Sequence, residues 1–460
     1  MSATILTPEV QGRTLKEGGP QVDAFASLVP EAAVVGPAWL LPLRQAGLAR
    51  FAELGFPNTQ QEDWRFTNVA PVAALPFRPT WTPPTAGVSA AQLEKVTFAG
   101  LEADRLVFVD GHFSPDLSRR LDHGPGVLIE NLKSVLESQP ELLEPLLKRL
   151  PGALSNAFTA LNDAYFTDGA VVLIPAGRRL ETPVHLLFVS TGAGDGATSH
   201  LRNVIVAGAR SEATIIESFV SLRDAATVTN VVTGVEAGES AVLEHLRFQD
   251  ESAEAFHLGA LQAVVGRSAS FLAHSFALGA RLSRQNINAV LNGEGLEAIL
   301  NGLYLTGGDR LADHHMIVDH AKPRCASHEY FNGVLAGKSR GVFHGRILVR
   351  PDAQKTDAKQ TNKNVLLSDD ATVNTKPQLE IYADDVKCTH GATVGQMNPE
   401  SVFYLRCRGI PLEIARRMLI HSFAGEIIDR VRCSAAREEL DRLVWDRLEE
   451  HEVVHVGAHV

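Results

Sequence analysis

From Gly169 onward the chain falls into short aliphatic runs separated by corners rich in Gly, Asn, Asp and Ser. VVLIPAG, NVIVAGA, AVLEHLRF, AVVGRSASF, AILNGLYL and GVFHGRILV are examples. Runs of this length, bounded by turn residues, predict strands. The corner glycines Gly208, Gly238, Gly266 and Gly293 follow one another at intervals of 30, 28 and 27 residues. A near-regular period of that size, with no helical pattern between the strands, predicts a stacked β-solenoid. A β-sandwich has similar strand spacing, so the periodicity alone leaves both architectures open. A solenoid must also hide its terminal strand edges, which calls for a cap or a partner.

The flanks read differently. Trp39, Leu40, Leu43, Leu48, Phe51 and Leu54 recur at helical spacing until Gly55 and Pro57 end the pattern. A bridge containing Pro76, Pro79, Pro83 and Pro84 follows, and then a mixed stretch with a helix over 131–150 that Pro140 and Pro145 interrupt. Beyond Arg408 and Gly409 the apolar positions Leu412, Ala415, Leu419, Phe423, Ile427 and Val431 form a helical stripe. Arg416, Arg417, Glu426 and Asp429 stand between them, part of the stripe must pack against the end of the β core, and a second helix is expected over 434–450. The expected division is a helical region over 1–92, a mixed lead-in over 93–168, a β core over 169–408 and a helical domain over 409–460.

At 460 residues the chain can bury a large core and more than one structural unit. Aromatics make up only 6% and the formal net charge is −11, so no basic stripe is available for a nucleic-acid backbone. The four cysteines, Cys325, Cys388, Cys407 and Cys433, include no C-x-x-C pair. That excludes a self-contained zinc ribbon or four-cysteine cluster site, and so few cysteines in a long chain do not make a disulfide framework. Glu9, Arg13, Lys16, Glu17 and Asp23 interrupt the first thirty residues, so no signal peptide is read there. No apolar run approaches the ~20 residues of a membrane span, and the expected compartment is a reducing cytoplasm.

The chemistry-bearing residues are few. Cys388 and His390 sit two positions apart in DDVKCTHGATVG, so a strand would turn both toward one face, where they could meet a soft metal centre. Asp313, His314, His315, Asp319 and His320 offer carboxylates and imidazoles, but turn and interstrand hydrogen bonds account for most of them. His315 and His320 are kept as secondary metal ligands. GVLAGKS has three residues between Gly333 and Gly337 where a phosphate-binding loop needs four, and a strand follows instead of a helix. It reads as a corner, so ATP hydrolysis would come from another protein. Asp369, Asp370, Asp384 and Asp385 fit turn and edge roles. GKSRG, from Gly337 to Gly341, spells G-x-S-x-G, but a strand follows it where a nucleophile elbow needs a helix.

The string AQKTDAKQTNKNVLLSDDATVNTKPQLEIYADDVKCTHGATVG, followed by FYLRCRGI, resembles the SufD family of the SUF iron–sulfur assembly machinery. QEDWRFT, from Gln61 to Thr67, and DHHMIVDHAKPRCASHEYFNGVLAGKSRGVFHG, from Asp313 to Gly345, are similar to the same family in the same order. The resemblance implies a mainly β fold: a right-handed parallel β-helix core flanked by N-terminal and C-terminal helical regions. It implies a heterodimer with a SufB-like paralogue, a SufC ATPase docked on the C-terminal helices, and a transient iron–sulfur cluster or iron at the SufB interface. Reduced flavin in the complex is left open. By this likeness His390 is the metal or iron-delivery ligand, Cys388 its soft neighbour, and Leu412, Leu419, Phe423 and Ile427 the SufC docking residues. Gly391 and Ala371 stand where SufB-like chains carry a glutamate and a cysteine, which favours the SufD side. Cys407 replaces a small polar residue and is expected to be a buried reduced thiol. The reading from a different class is a β-helix hydrolase or lyase acting on a carbohydrate or polyanion.

Overall fold

The computed structural model describes residues 36–83, 87–95, 98, 101–149 and 156–450. The segment 1–35, where no signal peptide is read, lies outside the described residues, as does Pro84 of the Pro-rich bridge. Strands from Ala170 to Gln396 wind into a parallel solenoid of about eight turns, each turn giving one strand to each of two ten-stranded sheets. Successive strands alternate between the sheets, and each pairs in parallel with the strand two further along. These ladders exclude the sandwich, whose neighbours would be antiparallel.

The interior is built from rows of equivalent residues. Phe108, Phe188 and Phe219 are register partners in three adjacent strands. Phe108 and Phe188 stack with ring centroids 4.9 Å apart, and Phe188 and Phe219 with centroids 4.8 Å apart. That is the spacing of neighbouring strands, so identical side chains in successive turns meet face to face. Burial of each such ring contributes roughly 1.5–3 kcal/mol.

The corner glycines form a second column. A Cβ on Gly238 would meet Ala209 N at 2.9 Å and Gly208 C at 3.0 Å, and one on Gly266 would meet Ala237 O at 2.9 Å. On Gly293 it would lie 2.0 Å from Arg267 N and 2.4 Å from Gly266 C. Close backbone approach at the corners, from one turn to the next, is therefore the physical basis of the glycine period.

Helices close both flanks. Leu40–Leu54 packs against Ala157–Tyr165, and Arg44 donates to the carbonyls of Ala164 and Phe166 at 2.9 and 2.8 Å, satisfying the end of that second helix. The segment expected to be an interrupted helix forms two pieces, Leu132–Ser138 and Pro140–Arg149. The strands end at Gln396 and Pro399–Arg406 is already helical, capped by Asn398, whose Oδ1 accepts from Glu400 N at 2.8 Å. The helical end thus begins ahead of residue 409, because Pro399 suits a first helical turn. Leu412–Ile428 and Ser434–Glu450 follow. Ile420, Ala424, Ile427, Ile428, Leu440 and Val444 bury against Leu246, Phe276, Leu303 and Val334 of one sheet's outer face. Glu244 tightens that contact by accepting from the backbone of Arg432 and Cys433 at 2.6 and 3.1 Å.

Candidate functional site at the open end of the solenoid

Lys387–Gln396 is the last strand of its sheet and pairs on one side only, with Asp357–Leu366. In that neighbour Ala358, Gln360, Asn362 and Asn364 are buried. Their register partners are Cys388, His390, Ala392 and Val394. Strand alternation turns this row toward the solenoid interior. Among the described residues no further turn covers it, so His390 is exposed and Val394 is 49% exposed. Cys388 packs against the cluster of Ile347, Val349, Ala353, Ala358 and Ala383. Burial, reinforced by the Asp357 carboxylate, pushes its thiol up, so it needs an electropositive partner such as a metal to act as thiolate. The pair expected from sequence therefore shares one face of one strand, with the sulfur half-sheltered and the imidazole open.

Behind His390 the same row runs inward through Gln360 to Glu329. Gln360 Nε2 donates to Glu329, whose side chain is fully buried. Desolvation pushes the Glu329 carboxyl up to about 8, against which the Gln360 hydrogen bond works only partly. At neutral pH it is an uncharged acid two register positions inside the open end. Gly345 makes room for this arrangement, since a Cβ there would sit 2.3 Å from Gln360 Nε2. Sequence reading did not single out Glu329 or Gln360. The coil spacing was the available signal, because 329, 360 and 390 lie about one turn apart.

The remaining expected residues separate. His320 is buried, with Nε2 2.9 Å from Ser327 Oγ and Nδ1 facing Thr356, so both ring nitrogens meet hydroxyls of the core. Asp313 and Asp319 are ion-paired with Arg284 and Arg350, each at 2.6 Å, and His314 meets Ser275 at 2.9 Å. His315 lies instead on the outer face of the other sheet, with Nε2 3.6 Å from Asp63 Oδ1 and its ring against His344. Gly337, at φ +64°, forms the corner that the near-miss phosphate loop was read as. Cys407 is exposed, contrary to expectation, because it ends the short helix Pro399–Arg406, none of whose residues is buried.

The expected docking residues differ in exposure. Ile427 is 1% exposed and packs on the solenoid, and Phe423 leans on the same cluster while its carbonyl accepts from Asn332. Leu412 and Leu419 are half-buried. The apolar side chains that face outward on these two helices are Phe403, Tyr404, Ile414 and Met418. The stripe read from sequence is thus largely the helix's inward face. Among the described residues no helix is long and apolar enough to cross a membrane.

Residues 188–423 match the family model of the SUF system FeS cluster assembly SufBD core domain, and residues 36–186 match that of the SufBD protein N-terminal region. The chain belongs to the SufBD family of SUF-system iron–sulfur cluster assembly proteins. Within that family its likeness is to SufD. It is 31% identical to the iron–sulfur cluster assembly protein SufD of Escherichia coli over 88% of this chain and 93% of that one. It is 25% identical to SufD of Bacillus subtilis over 88% and 93%. An iron–sulfur cluster assembly SufBD family protein of Synechocystis is 30% identical over 96% of this chain and 99% of its own. The chain is therefore a SufD-type subunit of iron–sulfur cluster assembly, and the hydrolase or lyase reading finds no support.

Proposed function

We propose that this chain serves as the SufD-side scaffold of a SufBCD-type complex in the cytoplasm, with the open end of its solenoid meeting a SufB-like paralogue. The observation that carries this reading is the uncovered last strand, which offers unpaired backbone together with an inward-facing thiol and imidazole. Exposed Tyr382 and Val394 flank that edge, as expected of a surface that a partner covers. His390 and Cys388 then donate to iron or a nascent cluster passing through as cargo. Two donors leave iron undercoordinated, so sulfide or the paralogue completes the set. Phe403, Tyr404, Ile414 and Met418 form the docking face for a SufC-type ATPase, which supplies the hydrolysis this chain is not expected to perform.

The test is anaerobic co-purification with a SufB-like chain and a SufC-type ATPase, followed by iron and sulfide analysis. His390→Ala should lower cluster content several-fold while subunit association and ATPase rate persist. Cys388→Ala should act in the same direction but less. Wild-type cluster content in assembled His390→Ala complexes would overturn the ligand role and leave His390 a hydrogen-bonding residue of the solenoid end.

A further inference from the structure

A second donor cluster lies on the outer face of the other sheet, built from residues the terminal-edge reading does not use. His315 and His344 are register partners on adjacent strands, Leu311–His320 and Arg340–Val349, with ring centroids 4.2 Å apart. Asp63 reaches them from the turn Glu62–Trp64, which lies across this face. That turn is held independently of Asp63's side chain. Arg284 donates to the Asp63 carbonyl at 2.8 Å and covers the Trp64 ring at 3.7 Å, and Thr67 Oγ1 donates to Asp313 at 2.5 Å. Among the described residues these three are the one cluster whose ligand atoms come within 4.8 Å of one another.

We propose that Asp63, His315 and His344 form a mononuclear site for a divalent transition metal, of the two-histidine, one-carboxylate kind that suits ferrous iron.

Three observations support the site. His344 is 8% exposed and its Nε2, beside the cleft, is buried without a hydrogen-bond partner. Three of the cations nearby are matched by carboxylates, Arg284 by Asp313, Lys376 by Glu62 and Arg346 by Glu380, and Arg65 lies over the Phe66 ring. They therefore do not exclude a dication. The cluster also opens into a cleft of about 900 Å³ lined by Glu62, Arg65, Asn374 and Lys376, which leaves room for water in the remaining positions.

Atoms bound to one ion through ~2.1 Å bonds lie about 3 Å apart. Asp63 Oδ1 is 3.6 Å from His315 Nε2 and all three ligand atoms lie within 4.8 Å of one another, so closure takes side-chain adjustment, to which the 67% exposed Asp63 contributes. The site stands apart from the Cys388–His390 edge, and either proposal survives failure of the other.

Anaerobic titration of the full chain with Co²⁺ tests it, in a Cys388→Ser, His390→Ala background that removes the terminal-edge donors. Bound metal is read by equilibrium dialysis and visible absorption. His451, His455 and His459 near the C-terminus offer other imidazoles, so the decisive quantity is a difference between variants. Asp63→Ala, altering an exposed side chain, should weaken one equivalent at least ten-fold. His344→Ala should remove that equivalent and its nitrogen–oxygen d–d bands, and ferrous iron should compete for it. Equal stoichiometry and affinity in the Asp63→Ala and parent chains would overturn the proposal, as would failure of the parent to bind Co²⁺ at micromolar concentration. If His344→Ala melts early, Asp63→Ala alone decides.

Discussion

Replacing Glu329 with glutamine tests whether the interior behind the open end is as dry as its geometry implies. Glu329 is fully buried and its carboxyl is pushed up to about 8 in the fold, against 4.5 for an unperturbed glutamate. Between these two values the folded chain holds a proton that the unfolded chain has released. Folding then takes up a proton, and stability falls as pH rises from 4.5 toward 8, levelling off above. At pH 5 the penalty is under about 1 kcal/mol, and at pH 8.5 it is about 4–5 kcal/mol, from 1.36 kcal/mol per unit of difference. Glu329→Gln keeps the acceptor for Gln360 Nε2 and never ionises. The variant should match the parent near pH 5 and exceed it by about 3–5 kcal/mol at pH 8.5. Thermal or urea denaturation of both chains at both pH values measures this, since other titrating groups cancel in the difference. A stability gap that is the same at pH 5 and pH 8.5 would refute the reasoning, and would mean that Glu329 ionises in the fold or meets water through the open end.

Two further outcomes follow from packing. Gly293→Ala puts a methyl 2.0 Å from Arg267 N, so thermal denaturation should show a loss on the order of 3 kcal/mol, and an unchanged melting temperature would mean that the corners relax freely. Ile427→Asp should lower the melting temperature sharply, because a charge would be buried against the solenoid. Met418→Asp, at a 39% exposed position, should change stability by no more than about 0.5 kcal/mol while reducing capture of a SufC-type ATPase; the reverse pattern would mean that the docking face is the stripe first read from sequence.

The alternation of short strands and glycine corners was legible in the chain because each turn of a solenoid repeats the same local problem: an aliphatic run to bury and a corner where backbone approaches backbone. The helices Leu40–Leu54 and Ser434–Glu450 and the break at Pro140 were legible for the same local reasons of periodicity, capping and proline. The string around Cys388 and His390 carried the family, and strand alternation set both on one face. Local pattern could not say which apolar stripe of Leu412–Ile428 faces inward, since this helix carries apolar residues around much of its surface and only docking on Leu303 and Val334 selects Ile427 over Met418. Nor could it give the burial of Glu329 or the exposure of Cys407. The meeting of Asp63, His315 and His344 needed two closures. His315 and His344 become neighbours only when 29 residues complete a turn in register, and Asp63 joins them only because Arg284 and Asp313, on that same outer face, hold a segment some 250 residues earlier in the chain. Side chains that far apart in sequence are brought within reach by the coil length and by the docked turn, and neither distance is written in any window of the sequence short enough to read.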